Sequence, residues 1–301
     1  MEVRFWGVRG SIPCPGAHTI KYGGNTLCIE VRFPEIGRTI IIDAGSGIRE
    51  LGNHILNGSK TNLSTEIFLT HTHWDHIIGL PFFTPIYIAG TRLKIYGPVT
   101  YEQETLESVV GGQFSYRYFP VRQAELAANI EYIGLREGDF DIGSGIRLST
   151  RYLNHPLLCL GYRFEYKGKT LCTAYDTEPF RNVFHSKESA FDQSLALEGE
   201  EVAREGNRRI EEFMSGADLV VHDAQYTEEE YEISRVGWGH SSIEHAIRTG
   251  KKAHVKRLAL FHHEPVRTDA EIDELAKRFC RSDYTGDVEV FFAREGMAVK
   301  L

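Results

Sequence analysis

The densest group of metal-binding side chains in this sequence lies within seven consecutive residues. The segment Thr70-His71-Thr72-His73-Trp74-Asp75-His76 follows a strand-like run over residues 65–69 and precedes a turn at residues 79–81. If these groups were buried without a cation, each unpaired polar atom would cost about 1–3 kcal/mol. Alternate residues of an extended chain point the same way, so His71 and His73 share a side. The segment therefore predicts a metal site, because a polar loop of clustered histidines would leave this spacing unexplained.

Two ions need more donors than this segment supplies, since each takes about four ligands. Further ligands are expected where polar residues end buried strands, namely at His155, at Asp176 and at the pair His262 and His263. Neighbours on a strand point to opposite sides, so only one of that pair can face the ions, and we choose His262. A carboxylate can bridge two cations through its two oxygens, which makes Asp176 the expected bridge.

The two predicted sites share this carboxylate. The first site comprises His71, His73, His155 and Asp176. The second site comprises Asp75, His76, His262 and Asp176. Imidazole and carboxylate donors suit zinc, manganese or iron. We therefore expect two divalent metal ions and favour Zn2+ over Mn2+ or Fe2+.

Strand patterns run through both halves of the 301 residues, with helices between them and no Pro/Gly/Ser-rich linker. This order favours two sheets packed face to face under helical layers. Residues 39–42, with three isoleucines in a row, predict a fully buried strand. Helices are predicted over residues 48–56, 101–110 and 197–214, helix starts with capping boxes over 241–244 and 268–271, and a closing hairpin over 288–301.

Charge and composition restrict the partners of this chain. The net charge of −8, from 34 basic and 42 acidic residues, argues against a large nucleic-acid footprint, which would need a basic face. A small anionic substrate stays compatible, because a local pair of cations can outweigh the global field. The sequence shows no signal peptide and no apolar stretch long enough to span a bilayer. Five cysteines without a Cys-x-x-Cys pair indicate reduced thiols, and we expect a cytoplasmic location.

The ordered set of expected ligands resembles that of the metallo-β-lactamase superfamily. The matching residues are His71, His73, Asp75, His76, His155, Asp176 and His262. This resemblance covers nearly the whole chain. It implies an α+β fold, an αββα sandwich of two mixed β-sheets flanked by helices, formed by residues 1–301 as a single hydrolase domain. It also implies a dinuclear metal site between the sheets.

Residues 217–224, 239–242 and 255–258 resemble the ribonuclease Z-like branch of phosphodiesterases, which includes 3′,5′-cyclic nucleotide phosphodiesterases. The tRNA-processing members carry a long arm between the third histidine and the bridging aspartate. Here His155 and Asp176 are only a short hairpin apart, and the insert that begins at Thr177 is acidic. The resemblance therefore implies a small anionic phosphodiester substrate, with no tRNA and no membrane as partner.

The expected reaction is hydrolysis of a small phosphodiester, most specifically a 3′,5′-cyclic nucleotide, by a hydroxide that bridges two cations. His240, on the turn before a helix, is the expected general acid, and Asp223 would accept the other ring N–H. Asp75 is expected to take part in catalysis as well as in metal binding. The helix that starts at Ser241 offers free N–H groups to a phosphate oxygen.

Several residues are candidates for substrate contacts. Arg9 and Ser11, in the first glycine-rich loop, are interpreted either as phosphate contacts or as a structural turn. The aromatic candidates for base stacking, or else for core packing, are Trp238, Tyr226, Phe82 and Phe83. Residues 111–122 are interpreted as a lid, as the contact of a homodimer or as an ordered surface loop.

Two other classes of protein stay open. A hydrolase of the same superfamily that acts on a lactam, a thioester or another non-phosphate ester could use the same metals, but it would not need the His240–Asp223 pair. A metal-holding sensor or partner-binding module would be expected to have lost ligands, whereas the set here is complete. A redox diiron member is disfavoured, because those proteins resemble His-x-Glu-x-Asp-His and this chain has His73 at the middle position.

Overall fold

Two seven-stranded β-sheets make up the centre of the protein in a computed structural model that describes residues 1–58, 63–99, 104–184 and 193–301. The strands are β1 (Glu2–Gly7), β2 (Cys28–Phe33), β3 (Arg38–Ile42), β4 (Ser64–Phe68), β5 (Arg92–Pro98), β6 (Asn129–Leu135), β7 (Gly138–Asp141), β8 (Arg147–Tyr152), β9 (Leu160–Tyr166), β10 (Lys169–Ala174), β11 (Leu219–Asp223), β12 (Arg257–Phe261), β13 (Glu289–Phe292) and β14 (Ala298–Lys300). The helices are α1 (Ile48–Gly58), α2 (Trp74–Ile77), α3 (Leu106–Gly111), α4 (Gln193–Met214), α5 (Glu228–Ser234), α6 (Ile243–Lys252), α7 (Asp269–Phe279) and α8 (Ser282–Thr285).

Each half of the chain builds most of one sheet. The first sheet has the order β14-β1-β2-β3-β4-β5-β6, and the second has the order β13-β12-β11-β10-β9-β8-β7. Both sheets are mixed, because strands β3 to β6 run parallel in the first and β10 to β13 run parallel in the second, next to antiparallel pairs. The expected pair of mixed sheets is confirmed.

The alternation of side chains along the strands gives each sheet one face toward the other sheet and one face toward helices. In β3, Ile40 and Ile42 pack between the sheets, whereas Ile41 packs under α1 with Ile48 and Leu51. The second sheet behaves in the same way, with helices α6 and α7 covering its outer face. The α+β fold is therefore the expected αββα sandwich, with one apolar layer between the sheets and one under each helical layer.

Three predicted elements differ from those in the structure. The closing hairpin over residues 288–301 was wrong, because β13 joins the second sheet while β14 crosses back and pairs with β1. The helix over residues 241–244 does not begin with a capping box, since Ser242 is its N-cap and Glu244 accepts from the backbone of Glu228. The helix predicted over 101–110 is observed only as α3, and residues 101–103 lie outside the described part of the chain.

The described helices include none that is both long enough and apolar enough to cross a bilayer. Six strands, β3, β4, β8, β10, β11 and β12, lead to polar side chains that meet at one edge of the sandwich. In β11 the polar residue is Asp223, the last of the strand, and in the others it follows within three residues. The carboxyl ends of strands are where ligands bind in open α/β sheets, because the loops that follow the strands converge there. The candidate site lies at this edge.

Candidate metal centre

The histidine segment is held against the loop after β3. His76 O accepts a hydrogen bond from Ala44 N at 2.7 Å, and Gly79 N donates to Ala44 O at 2.9 Å. This approach is close enough that a Cβ atom on Gly79 would lie 2.0 Å from Gly45 O. The glycine at position 79 therefore allows the segment to turn directly after α2 and to present its side chains to the second sheet.

Four side chains converge as the first predicted site. Donor atoms of His71, His73, His155 and Asp176 all lie within 4.8 Å of one another. His73 Nδ1 is 2.9 Å from His71 Nε2 and 3.1 Å from His155 Nε2, and His71 Nε2 is 3.5 Å from Asp176 Oδ2. Ring nitrogens that face each other at such distances suit a cation between them, because each can then give its lone pair to the metal.

Four side chains also converge as the second predicted site, and Asp176 belongs to both. Donor atoms of Asp75, His76, Asp176 and His262 lie within 4.8 Å of one another. His262 Nε2 is 3.3 Å from Asp75 Oδ2 and 3.4 Å from Asp176 Oδ1. His76 Nε2 is 3.2 Å from Asp176 Oδ2. Asp176 Oδ2 thus lies near His71 of the first site and His76 of the second, so this carboxylate contacts both groups of donors.

The donor set fits divalent cations, because several of its buried atoms have no hydrogen-bond partner in the protein. Asp176 Oδ1 and both ring nitrogens of His262 are buried without a partner among the described residues. An unpaired polar atom of this kind costs about 1–3 kcal/mol, and a bound cation would remove that cost. Asp176 and His262 also have positive φ angles of 40° and 61°. Such backbone strain is typical of functional sites, where it aims a side chain at its ligand.

Asp43 and Thr70 orient two of the imidazoles from behind. His76 Nδ1 lies 2.8 Å from Asp43 Oδ2, and Thr70 Oγ1 lies 2.9 Å from the same oxygen and 3.1 Å from His71 Nδ1. An Nδ1–H that donates to such acceptors leaves Nε2 as the atom with a free lone pair. Sequence reasoning missed Asp43, although its place directly after a buried strand, like that of Asp176, was an available signal.

The third imidazole of the first site is held from another loop. His155 Nδ1 donates to Gly239 O at 3.0 Å, so its Nε2 faces His73 and His71. Gly239 has a φ of +84°, and a Cβ atom there would lie 2.2 Å from His155 Nδ1. A glycine is therefore required at position 239, and the loop that carries it is attached directly to a candidate ligand.

The charges of the imidazoles divide them into two groups. Burial lowers the pKa of His71 well below its usual range and the pKa of His155 to about 4, so both rings are neutral donors at neutral pH. Burial acts in the same direction on His76 and His262, but Asp176 and Asp75 outweigh it. They raise the pKa of His76 well above its usual range and the pKa of His262 to about 9. Asp75 and Asp176 thus favour a charged imidazole at His76 and at His262.

His240 lies beside the paired sites and is oriented by Asp223. His240 Nδ1 is 2.8 Å from Asp223 Oδ2, and Asp223 also accepts hydrogen bonds from the backbone N–H groups of Thr177 and Gln225. The ring of His240 stacks on that of His262, with 4.6 Å between centroids. With Nδ1–H donating to Asp223, His240 keeps Nε2 for a proton that can be given to a reacting oxygen. Asp223, His240 and His262 themselves form a third group of donor atoms within 4.8 Å.

A cleft of about 450 Å³ gives access to these groups. Its lining residues are Ser11, Thr72, His73, Trp74, Asp75, Asp176 and His240. The backbone N–H of Ser11 donates to Asp75 Oδ2 at 2.7 Å, which leaves its hydroxyl at the mouth of the cleft. Trp74, which sequence reasoning left unassigned, is 79% exposed at this mouth.

Two expected substrate contacts are not available in the structure. Arg9 is 0% exposed, and its guanidinium donates to the backbone oxygens of Gly23, Glu264 and Arg267, so it ties loops together and cannot reach a phosphate. Ser241 is also 0% exposed, and its hydroxyl donates to Thr177 O. Both residues have a structural role here. Of the N–H groups that the helix after Ser241 was expected to offer, that of Ile243 donates to Tyr226 O and that of His245 to Ser242 Oγ.

The aromatic candidates for base stacking divide by exposure. Phe83 and Tyr226 are buried, whereas Phe82 and Trp238 are 54% and 56% exposed. Trp238 has the guanidinium of Arg235 over its ring at 4.6 Å and lies two residues before His240. Trp238 is therefore near the site but outside the lining of the cleft.

Comparison with known proteins gives a consistent result. A family model described as the beta-lactamase superfamily domain matches residues 38–196. A ribonuclease Z from Thermococcus sibiricus is 28% identical, over 93% of this chain and 92% of the relative. The fold matches that of the short form of human tRNase Z, with a TM-score of 0.61, 19% identity and coverage of 100% and 99% of the two chains. It also matches a diphosphatase of the PhnP family, with a TM-score of 0.64, 16% identity and coverage of 100% and 97%.

Proposed function

Because this chain belongs to the beta-lactamase superfamily and is a metal-dependent hydrolase, we propose that it cleaves a small phosphodiester, most specifically a 3′,5′-cyclic nucleotide. One observation carries the proposal. Two four-donor groups share Asp176, and His240, oriented by Asp223, lies beside them. Hydrolysis of a phosphodiester needs both parts, because charge develops on the phosphoryl oxygens while a proton must reach the departing alkoxide.

Divalent cations held by the two groups, Zn2+ in our proposal, would supply an activated water as nucleophile and a positive field for the phosphoryl oxygens. The protein side chains would do the rest. Asp75, a proposed ligand, is held in place by the backbone N–H of Ser11, another residue of the cleft lining. His71 and His76 are oriented by Thr70 and Asp43, so their Nε2 atoms are directed inward before any substrate arrives.

His240 is the proposed general acid. Its Nδ1–H donates to Asp223, so a proton on the imidazolium form leaves from Nε2 toward the cleft. Asp223 is 0% exposed and receives two backbone N–H groups, which keeps its carboxylate fixed while the ring changes charge. A thioester hydrolase would not need such a pair, because a thiolate leaves without a proton.

Three features support a small substrate. A cleft of about 450 Å³ is in the range of pockets that bind small molecules. β9 and β10 connect His155 to Asp176 as a short hairpin, with no room for an additional arm. The buried position of Arg9 also removes a cation from the cleft, and the net charge of the chain is −8. A cytoplasmic location and a homodimer stay predictions.

The replacement His240→Ala tests the proposal through the leaving group. With a 3′,5′-cyclic nucleotide, whose leaving group is an alkoxide, we expect kcat to fall by about a hundredfold or more. With bis-p-nitrophenyl phosphate the fall should be much smaller, because p-nitrophenolate leaves without a proton. The metal content should not change, since His240 is outside the two four-donor groups. Equal turnover of wild type and variant on the cyclic nucleotide would remove His240 from the mechanism.

The ribonuclease Z relatives favour a second candidate, hydrolysis of a phosphodiester in RNA. A tRNA transcript, a cyclic nucleotide, a lactam and a thioester, assayed side by side with the same metal-loaded protein, separate the candidates. We expect kcat/KM to be highest for the cyclic nucleotide. Cleavage of the transcript alone would identify RNA, and not a small phosphodiester, as the substrate. Cleavage of the lactam or thioester alone would refute the proposed phosphodiesterase activity.

A further inference from the structure

We propose that Trp74 determines specificity by stacking on a planar group of the ester arm that stays on phosphorus after hydrolysis. The proposal rests on the proposed phosphodiesterase function and adds to it the chemistry of the retained arm. Trp74 lines the cleft with 79% of its surface exposed. Such exposure of a large apolar ring in water is unfavourable, and a ligand that covered the ring would recover that free energy.

The direction of the indole follows from its neighbours. His73 is the N-cap of α2, and Asp75 and His76 point from the first turn of this helix to the second predicted metal site. Successive residues of a helix project about 100° apart, so a residue between inward-facing side chains projects outward. Trp74 therefore stands at the mouth of the cleft, one residue away from candidate ligands of both sites.

Trp74 and His240 come from segments that follow strands of different sheets. Trp74 is part of the segment after β4 that supplies His73 and Asp75. His240 lies between β11 and α6, and its ring centroid is 4.6 Å from that of His262 and 5.5 Å from that of His155. A leaving group that receives its proton from His240 must lie on the His240 side. The second ester arm leaves phosphorus in another direction, and Trp74 is the aromatic side chain, apart from the histidines, that lines the cleft.

The class of group that Trp74 would recognise is a flat, π-bonded ring, such as a nucleobase. Stacking on an aromatic side chain tolerates any base, because every base has a π-face. Its loss on truncation to alanine is expected to weaken binding on the order of ten- to a hundredfold. In a cyclic nucleotide both arms belong to one sugar, so mixed diesters are needed to assign the arm.

Two chromogenic diesters make this assignment. Thymidine 5′-(p-nitrophenyl phosphate) and methyl p-nitrophenyl phosphate release the same p-nitrophenolate, but only the first keeps a base on phosphorus. We expect Trp74→Ala to raise KM for the thymidine ester about tenfold or more, with kcat nearly unchanged and the methyl ester unaffected. Trp74→Phe should restore most of the affinity, because phenylalanine keeps a π-face. Val202→Ala, an exposed apolar position on α4, is the matched control.

An equal effect of Trp74→Ala on both esters would overturn the assignment to the retained arm, because it would place the shared nitrophenyl group on the indole. No effect on either ester would overturn the stacking itself. If wild-type protein cleaved neither ester, the proposed function would fail, and a binding measurement would then decide the role of Trp74.

That measurement uses tryptophan fluorescence, since the chain has only three tryptophans. Titration of the metal-loaded protein with thymidine 5′-monophosphate, the product with the retained arm, should quench the emission of Trp74. Trp74→Phe should lose this quenching, while the control Val202→Ala should keep it. Quenching that persisted in Trp74→Phe would show that the base lies on another tryptophan and would refute the proposal.

Discussion

Asp43 shows how one buried carboxylate can organise a site without touching the substrate. It is 0% exposed, and through Thr70 and His76 it controls the orientation of two imidazoles that belong to different predicted sites. Burial raises the pKa of Asp43, and the hydrogen bonds from Thr70 and the contact with His76 oppose that effect. A change at this position should therefore affect metal binding first and the fold only second.

The replacement Asp43→Asn tests this role. We expect the affinity for Zn2+ to fall by about 10- to 100-fold, because an amide holds the Nδ1–H of His76 less firmly than a carboxylate does. Competition with a chromogenic chelator gives the affinity, and circular dichroism checks the fold. Asp141→Asn, which changes an exposed carboxylate on β7, serves as the control. Wild-type affinity in Asp43→Asn would show that His76 needs no such partner.

The sequence named all seven side chains that the structure brings together in the two four-donor groups. Their residue types and their places after strands were enough, because imidazoles and carboxylates at such positions have few other uses. Asp43 and Trp74 were missed, since their roles depend on contacts that form only in the fold: Asp43 meets Thr70 and His76, and Trp74 lines the cleft. Arg9 and Ser241 were assigned to the substrate because sequence shows residue type but not exposure.

At the level of elements, α6 connects the loop that carries His240 to the outer helical layer. Ser242 caps it through a bond from His245 N, and the ring of His245 faces inward near Thr249 and His222. Burial, followed by the nearby His222, lowers the pKa of His245 to about 3. The helix therefore contains a histidine that stays neutral in the folded protein through the mildly acidic range.

His245 should make the protein less stable in acid. In the unfolded chain its pKa returns to about 6.5, so below that value the unfolded state binds a proton that the folded state does not. The free energy of unfolding should thus fall as the pH drops from about 6.5 toward 3. We expect the free energy of unfolding of His245→Gln to fall less steeply with pH than that of the wild type, by up to about 1.4 kcal/mol per pH unit.

Urea unfolding at pH 7, 6, 5 and 4 measures this slope. His54→Gln, which removes an exposed histidine of α1, is the matched control. The same pH dependence in His245→Gln and wild type would mean that His245 takes up its proton without unfolding.

Elements with local signals were predicted well, and those that depend on distant partners were not. The hairpin of β9 and β10 follows from a two-residue turn, and the capping box of α7 follows from Thr268 and Glu271. α5 has the same box at Thr227 and Glu230 but was overlooked. β13 and β14 are close in sequence, yet they enter different sheets, because each completes an edge that an earlier strand left open.

At the scale of the whole molecule, the candidate centre connects the two sheets. The segment after β4 comes from the first sheet, whereas His155, Asp176 and His262 follow strands of the second. A cation bound by both sets of residues would resist separation of the sheets as well as local fraying. Stability of the fold and metal loading should therefore change together.

Chelation tests this coupling. A ligand present at a hundred times its Kd adds about 2.7 kcal/mol to the free energy of unfolding, so EDTA treatment should lower the Tm by about 5 °C or more. Added Zn2+ should restore the Tm. The same treatment of His71→Ala, in which one site lacks a ligand, should give a smaller change. An identical Tm before and after verified metal removal would show that the centre does not stabilise the sandwich.

The crossing of β14 back to β1 has a consequence for biosynthesis. The residues of β1 are made long before those of β14, so the edge of their sheet stays incomplete until β14 has been made. His262, the final donor in chain order, also emerges late, long after His71. The second four-donor group cannot be complete before His262 has been made, so we expect its loading to be a late event that depends on the supply of free metal.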